Sequence, residues 1–354
     1  MSTSDMNDEN YLLAETVNQL FGDLAANGLD SDDAARFARG ELPVNAWRLI
    51  EENGIAALLL PESAGGFGGN WQSAFLVANA AGYHALALPI AETILAQHLL
   101  SAAGLSVPAG ALTFACCDEL QLAANQTSGS ANGVIWGGAV EHIVLTHSQG
   151  ESTRLVLVAR KDIANITPAK NLAGEPVADL QWSNATAIAS GSIDADVFAL
   201  GALLRSAQIA GALNAALAQS VAHANERKQF GKPLGQFQAI QQALAVFAGE
   251  AAAINCAALS ACRAVDLGDG GFEIAAAKLR ANRAVGVATS TAHQVHGAIG
   301  FTREHNLHKS TQRLWQWRSE FGNDRHWADV LGAKVVQRGI ANFWSDLTAR
   351  SDRS

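Results

Sequence analysis

Glu226-Arg227-Lys228-Gln229-Phe230-Gly231-Lys232-Pro233-Leu234-Gly235-Gln236-Phe237-Gln238 joins two long, alanine-rich stretches, residues 202–228 and 236–267. Both have helical length and composition. The Arg-Lys pair at 227–228 suits the negative end of a helix dipole. Gly231 and Pro233 then turn the chain within residues 229–235, and Phe237-Gln238 opens the next helix. Two long helices joined by so short a turn pack antiparallel. The turn has two readings. It is either a solvated helix end or, with an arginine fork beside a glutamine, a holder for a phosphate and a planar ring.

Downstream, Gly268-Asp269-Gly270-Gly271 breaks the chain, and residues 272–296 form a third helix that Gly297 ends. Residues 303–318 and 324–350 complete the expected set. Upstream, residues 111–196 change character: valine, isoleucine and threonine rise, in short runs between turn signals. Strands are expected at 111–116, 133–136, 141–146, 153–159 and 185–189. Before residue 110 the chain reads as helices at 10–26, 31–38, 44–52, 71–82 and 90–103, with a short apolar run at 55–61. The glycine-rich Glu62-Ser63-Ala64-Gly65-Gly66-Phe67-Gly68-Gly69 is a loop. The reading is α+β: an N-terminal helical domain (1–110), a small middle β domain (111–196) and a C-terminal antiparallel four-helix bundle (197–354).

Composition narrows the function. The 354 residues are 49% hydrophobic and only 16% charged, which excludes a disordered chain. A net charge of −9 argues against nucleic acid, which needs a basic face. No apolar run is expected to reach membrane-spanning length. The polar, acidic start MSTSDMNDEN resembles neither a secretory signal nor a transit peptide, so a cytoplasmic protein is expected. Cys116, Cys117, Cys256 and Cys262 have no metal or redox spacing and read as small buried side chains. So little charge on so much helix implies surface buried against other subunits.

A second segment carries chemistry: His293-Gln294-Val295-His296-Gly297-Ala298-Ile299-Gly300-Phe301-Thr302-Arg303-Glu304-His305-Asn306-Leu307-His308. Gly300 lets a backbone approach closely. The histidines at 293/296 and 305/308 have no acidic or cysteine partner at metal-ligand spacing, so no metal is expected. Together the two segments resemble the acyl-CoA dehydrogenase family, which has "R-x-Q-F-G-x-P-(L/I)-x-x-F-Q" followed later by "Q-x-H-G-(G/A)-x-G-F-(T/S)". Here these are Arg227–Gln238 and Gln294–Thr302. The stretch from Trp47 to Gly69, with its L-P-E-S-A-G-G-F-G-G, is also similar to that family's first domain.

The resemblance implies non-covalent FAD at a subunit interface. Arg227 and Gln229 would meet the pyrophosphate, with Phe230 and Gln238 beside the adenosine half. Gln294, Val295, His296, Gly297 and Ala298 would approach from a neighbouring subunit. It also implies an acyl-CoA substrate, a tetramer, and an electron-transfer flavoprotein as acceptor. The family reaction needs a carboxylate base, and here the sequence departs from the pattern. Aligned on Gly322, the base position of many members is Phe321, with Glu320 one residue early as the candidate base. The alternative position, in the helix before the arginine motif, is Gly201. Glu320 reads otherwise as a solvated or capping glutamate. The family's "T-E-P-x-x-G-S-D" run is missing, and Phe114-Ala115-Cys116-Cys117-Asp118-Glu119 stands in its place. Such shortened members resemble the smaller subunit of heteromeric acyl-CoA dehydrogenases, whose typical substrates are sterol or other ring-bearing acyl-CoA thioesters. A self-sufficient homotetramer using Glu320, a non-catalytic scaffold and a flavin oxidase or monooxygenase are the other readings.

Overall fold

The computed structural model describes residues 3–28, 41–150 and 152–351; the helix expected at 31–38 lies outside them. Among the described residues four helices come first: α1 (Thr3–Ala26), α2 (Val44–Glu52), α3 (Trp71–Tyr83) and α4 (Ile90–Ala102). Pro43 opens α2, whose Ala46, Trp47 and Ile50 are buried. Asn70 caps α3, its side chain accepting from Ser73 N–H at 2.9 Å. The run at 55–61 is a short 3₁₀ turn, Ile55–Ala57, rather than a strand or helix.

The middle region is a seven-stranded mixed sheet: β1 (Leu112–Cys116), β2 (Glu119–Ala123), β3 (Gln126–Ile135), β4 (His142–Gln149), β5 (Ser152–Ala159), β6 (Asn165–Lys170) and β7 (Pro176–Ile193). The order is β1-β4-β5-β7-β3-β2, with β6 also on β7. Only β1–β4 is parallel. The 18-residue β7 pairs with β3 and β6 through its first half and with β5 through its second. Two strands escape the sequence reading: β2, whose alternation spans only five residues, and β6, most of whose residues are exposed.

The chain then returns to helix. α5 (Val197–Glu226) is capped by Asp196, and a two-plus-two-residue hairpin, β8 (Lys228–Gln229) and β9 (Lys232–Pro233), leads to α6 (Gln238–Asp266) and α7 (Gly271–His296). α8 (Leu307–Ser319) and α9 (Asp324–Arg338) follow. The helix expected at 324–350 breaks at Gly339, which takes φ +83°, and resumes as α10 (Phe343–Ser351). Arg338 forks onto both Asp346 oxygens, at 2.7 and 2.8 Å, across that break.

α5 is the spine. It packs on α3, α6, α7 and α8. Paired glycines bring α3 and α5 together. A Cβ at Gly82 would lie 2.0 Å from the Gln208 carbonyl oxygen, and one at Gly211 only 1.9 Å from that of Asn79. Contrary to the expectation from apolar runs, α5 and α6 are both long and apolar enough to cross a membrane by length and composition. Alanine and scattered polar residues hide this from a search for unbroken apolar runs. The two differ in burial: the apolar window of α5 is 89% buried within the chain, that of α6 only 22%.

Candidate functional site

One end of the spine meets the sheet. Phe198, Gly201 and Arg205 on α5, Glu92 on α4, Phe114 at β1 and the turn after α8 surround a cavity of about 260 Å³ and its inner wall. Phe321 fills the centre. Its ring stacks on Phe114 (centroids 5.6 Å, 20° between planes) and meets the edge of Phe198 at 5.9 Å. A Cβ on Gly201 would lie 2.8 Å from the same ring. The two positions at which the sequence comparison looked for a carboxylate therefore converge on one point, and a phenyl ring occupies it.

Glu320, the candidate base, lies beside that ring and points elsewhere. Its Oε2 pairs with Arg205 Nε at 2.8 Å, and its Oε1 accepts from Gln316 Nε2 at 2.8 Å. The Arg205 side chain, 3% exposed, also reaches Glu92 Oε1 at 2.9 Å and donates to Gln208 Oε1. Burial pushes the Glu92 carboxyl above the ordinary range, against the pull of Arg205. A buried arginine between two carboxylates is a structural tie, since losing one partner strands a charge in a medium that cannot solvate it.

The turn that presents Phe321 is held open by force of hydrogen bonds. Phe321 (φ +51°) and Gly322 (φ +95°) are both left-handed, a conformation that costs a phenylalanine about 1–2 kcal/mol. Trp327 Nε1 donates to the Phe321 carbonyl at 2.8 Å. The fully buried Lys278 Nζ, with three N–H groups, is shared among four acceptors within hydrogen-bond distance: Asn282 Oδ1 (2.7 Å), Trp317 O (3.0 Å), Arg318 O (3.2 Å) and Gly322 O (3.3 Å). Burial brings the Lys278 ammonium down to about 7, with Glu320 pulling the other way.

The far end of the spine is open. Arg227 ends α5, Gln229 and Phe230 form the hairpin beyond it, and Gln238 begins α6; all four are exposed. Phe230 stands 91% exposed at φ +51°, a large apolar ring that meets the Phe237 ring edge-on at 6.2 Å and otherwise faces outward. Gln294, Gly297 and Ala298 are exposed as well, whereas Val295 and His296 are buried inside the chain. The two segments share this end of the bundle, because His223, one turn before Arg227, stacks on His296 at 4.6 Å. Exposed arginine, glutamines and an uncovered aromatic suit the diphosphate and adenine of a dinucleotide. At the closed end a phenyl ring stands at the aligned position, and the two carboxylates that line the cavity, Glu92 and Glu320, are paired with Arg205.

Residues 192–318 match the family model described as the acyl-CoA dehydrogenase C-terminal domain. Acyl-CoA dehydrogenase IpdE2 of Mycobacterium tuberculosis is 30% identical over 309 residues, covering 85% of this chain and 89% of that protein. The chain belongs to the acyl-CoA dehydrogenase family. Among solved structures, the acyl-CoA dehydrogenase fold recurs in the Tcur3481–Tcur3483 steroid ACAD G363A variant (TM-score 0.81, 20% identity, 95% of this chain and 99% of that one). It recurs also in the ChsE4–ChsE5 complex from Mycobacterium tuberculosis (TM-score 0.80, 21% identity, 92% and 97%).

Sequence reasoning missed the Glu92–Arg205–Glu320 tie, the Lys278 clamp and the meeting of His223 with His296. One signal was visible. Arg205 stands alone in the apolar run Leu200-Gly201-Ala202-Leu203-Leu204-Arg205-Ser206-Ala207, and a lone charge on a buried helix needs a partner. Its partners come from 113 residues upstream and 115 downstream in the chain, a separation no local pattern reveals.

Proposed function

We propose that this chain is the smaller subunit of a heteromeric, FAD-dependent acyl-CoA dehydrogenase, holding the dinucleotide half of the flavin and leaving the base to a homologous larger chain. The observation that carries this is the Phe321 ring standing where Gly201 and the α8–α9 turn converge. A phenyl ring cannot take the proton alpha to a thioester carbonyl. Glu320 is the only carboxylate next to it in sequence, and both its oxygens are engaged by Arg205 and Gln316.

When bound, the flavin would supply the hydride acceptor for the beta carbon. The residues of this chain do the rest of their share by binding. Arg227 would fork onto the diphosphate, with Gln229 beside it, and Phe230 and Gln238 would flank the adenosine. Gln294, Gly297 and Ala298 would meet the flavin of a neighbouring subunit through side chain and backbone N–H groups. Buried Val295 and His296 would support that segment from below. The largely uncovered α6 supports assembly with other chains as a tetramer. Steroid-type or other ring-bearing acyl-CoA thioesters are the substrate class, and an electron-transfer flavoprotein is the acceptor. A cytoplasmic setting fits four free thiols.

Native mass spectrometry of the chain, alone and co-expressed with its genomic neighbours, tests this. A mixed tetramer carrying flavin supports it, and a flavin-loaded homotetramer that oxidises acyl-CoA overturns it. A second reading, a self-sufficient enzyme with Glu320 as base, is favoured by Glu320 lining the cavity at 11% exposure. Glu320→Gln abolishes flavin reduction only in that case.

A further inference from the structure

Three histidines from distant parts of the chain meet at the open end of the spine: His223 near the end of α5, His296 ending α7, and His305 before α8. One ring nitrogen of each lies within 4.8 Å of the others. His296 stacks on His223 at 4.6 Å and meets the edge of His305 at 4.6 Å. This trio differs from the 293/296 and 305/308 pairs that sequence spacing suggests.

The tautomer of His296 is fixed. Its Nδ1 lies 2.8 Å from the Ala292 carbonyl oxygen, which can only accept, so Nδ1 carries the proton and Nε2 keeps a bare lone pair. That Nε2 is buried and has no hydrogen-bond partner, in a residue 5% exposed. An orphaned acceptor in such a place asks for a donor or a cation. A backbone carbonyl on the other ring nitrogen is also the usual support of a metal-bound imidazole.

We propose that His223, His296 and His305 bind a divalent transition-metal ion of the zinc class, with a fourth position left open. Three imidazoles suit zinc, cobalt or nickel better than the oxygen-seeking calcium or magnesium. Burial lowers all three histidines, His296 to about 4, so the rings are neutral and their lone pairs available at pH 7. Zinc–nitrogen bonds of about 2.0–2.1 Å put tetrahedral donors roughly 3.3 Å apart. The rings must therefore close by about 1.5 Å at most. His223 and His305 are only partly buried and can rotate; in particular, His223 must turn out of its stack on His296. His305 Nδ1 now accepts from Leu307 N–H at 3.1 Å. A cation would take that lone pair and release an N–H of the first turn of α8, where water can take it up.

The site stands independently of the flavin reading, and so does its test. Untagged full-length chain, stripped with chelator, is titrated with Co²⁺ and followed by visible absorption. One equivalent is expected to give the intense d–d bands of four-coordinate cobalt, displaced by Zn²⁺. His223→Gln and His305→Gln, both partly exposed positions, are expected to fold normally by circular dichroism and to weaken binding at least about tenfold. His147→Gln, on β4, should bind as the parent does. No cobalt bands, or bands that survive both His223→Gln and His305→Gln, would overturn the site.

Discussion

Arg205 and Arg227 stand roughly 33 Å apart along α5, at 1.5 Å per residue, and the two ends of the helix they mark have opposite characters. At the sheet end the groups engage one another within the chain: rings stack on rings, one arginine ties two carboxylates, and a lysine holds a strained turn. At the hairpin end an arginine, two glutamines and a phenylalanine face outward. A site closed upon itself contributes stability, while an open one waits for a ligand or a partner. The difference teaches that the segment carrying the family's motif and the cavity at the sheet are separate physical modules on one helix.

Breaking the closed end should therefore cost folding. Arg205→Met leaves Glu92 and Glu320 buried without their cation and is expected to lose about 3–5 kcal/mol in urea unfolding. Breaking the open end should cost ligand instead. Arg227→Ala is expected to weaken FAD affinity roughly tenfold to a hundredfold, read by fluorescence titration, with little change in urea midpoint. A loss of stability at Arg227 matching that at Arg205 would erase the distinction.

A smaller effect sharpens the geometry. Gly201→Ala drives a methyl into the Phe321 ring and should destabilise by about 1–3 kcal/mol. In the Phe321→Ala background the same change should be nearly free, so a double-mutant cycle reads their contact directly. Additive losses would mean that the two residues do not share the space.

A further effect is pH-dependent. Lys278 sits near 7 when folded and near its ordinary 10.5 when unfolded. Between those values the unfolded chain binds more protons, so this group makes stability rise with pH. The stability difference between the parent and Lys278→Met should shift in the parent's favour from pH 7 to pH 10. A difference flat across that window would show the lysine to be an ordinary charged ammonium.

Much of this was legible in the sequence. Arg227–Gln238 and Gln294–Thr302 disclosed the family and the bundle, because a helix end and a glycine turn are local features. The order of helices, sheet and helices followed from periodicity. The contents of the closed end were not legible. Phe321 could be aligned to a base position, but its stack on Phe114 joins residues 207 positions apart. Glu320 looked available until the fold placed Arg205 against it. The break at Gly339 was hidden because Gly332, seven residues earlier, is carried inside α9, so a glycine alone did not mark the end. The histidine trio escaped because His223 lies on a different helix from its partners and has no spacing to betray it.

The most direct test of the account is an anaerobic titration of the purified, FAD-loaded chain with acyl-CoA, including steroid-type thioesters, followed at the flavin absorbance. The account predicts no bleaching by the chain alone and full bleaching once the homologous larger subunit is added. Full bleaching by the chain alone would contradict it.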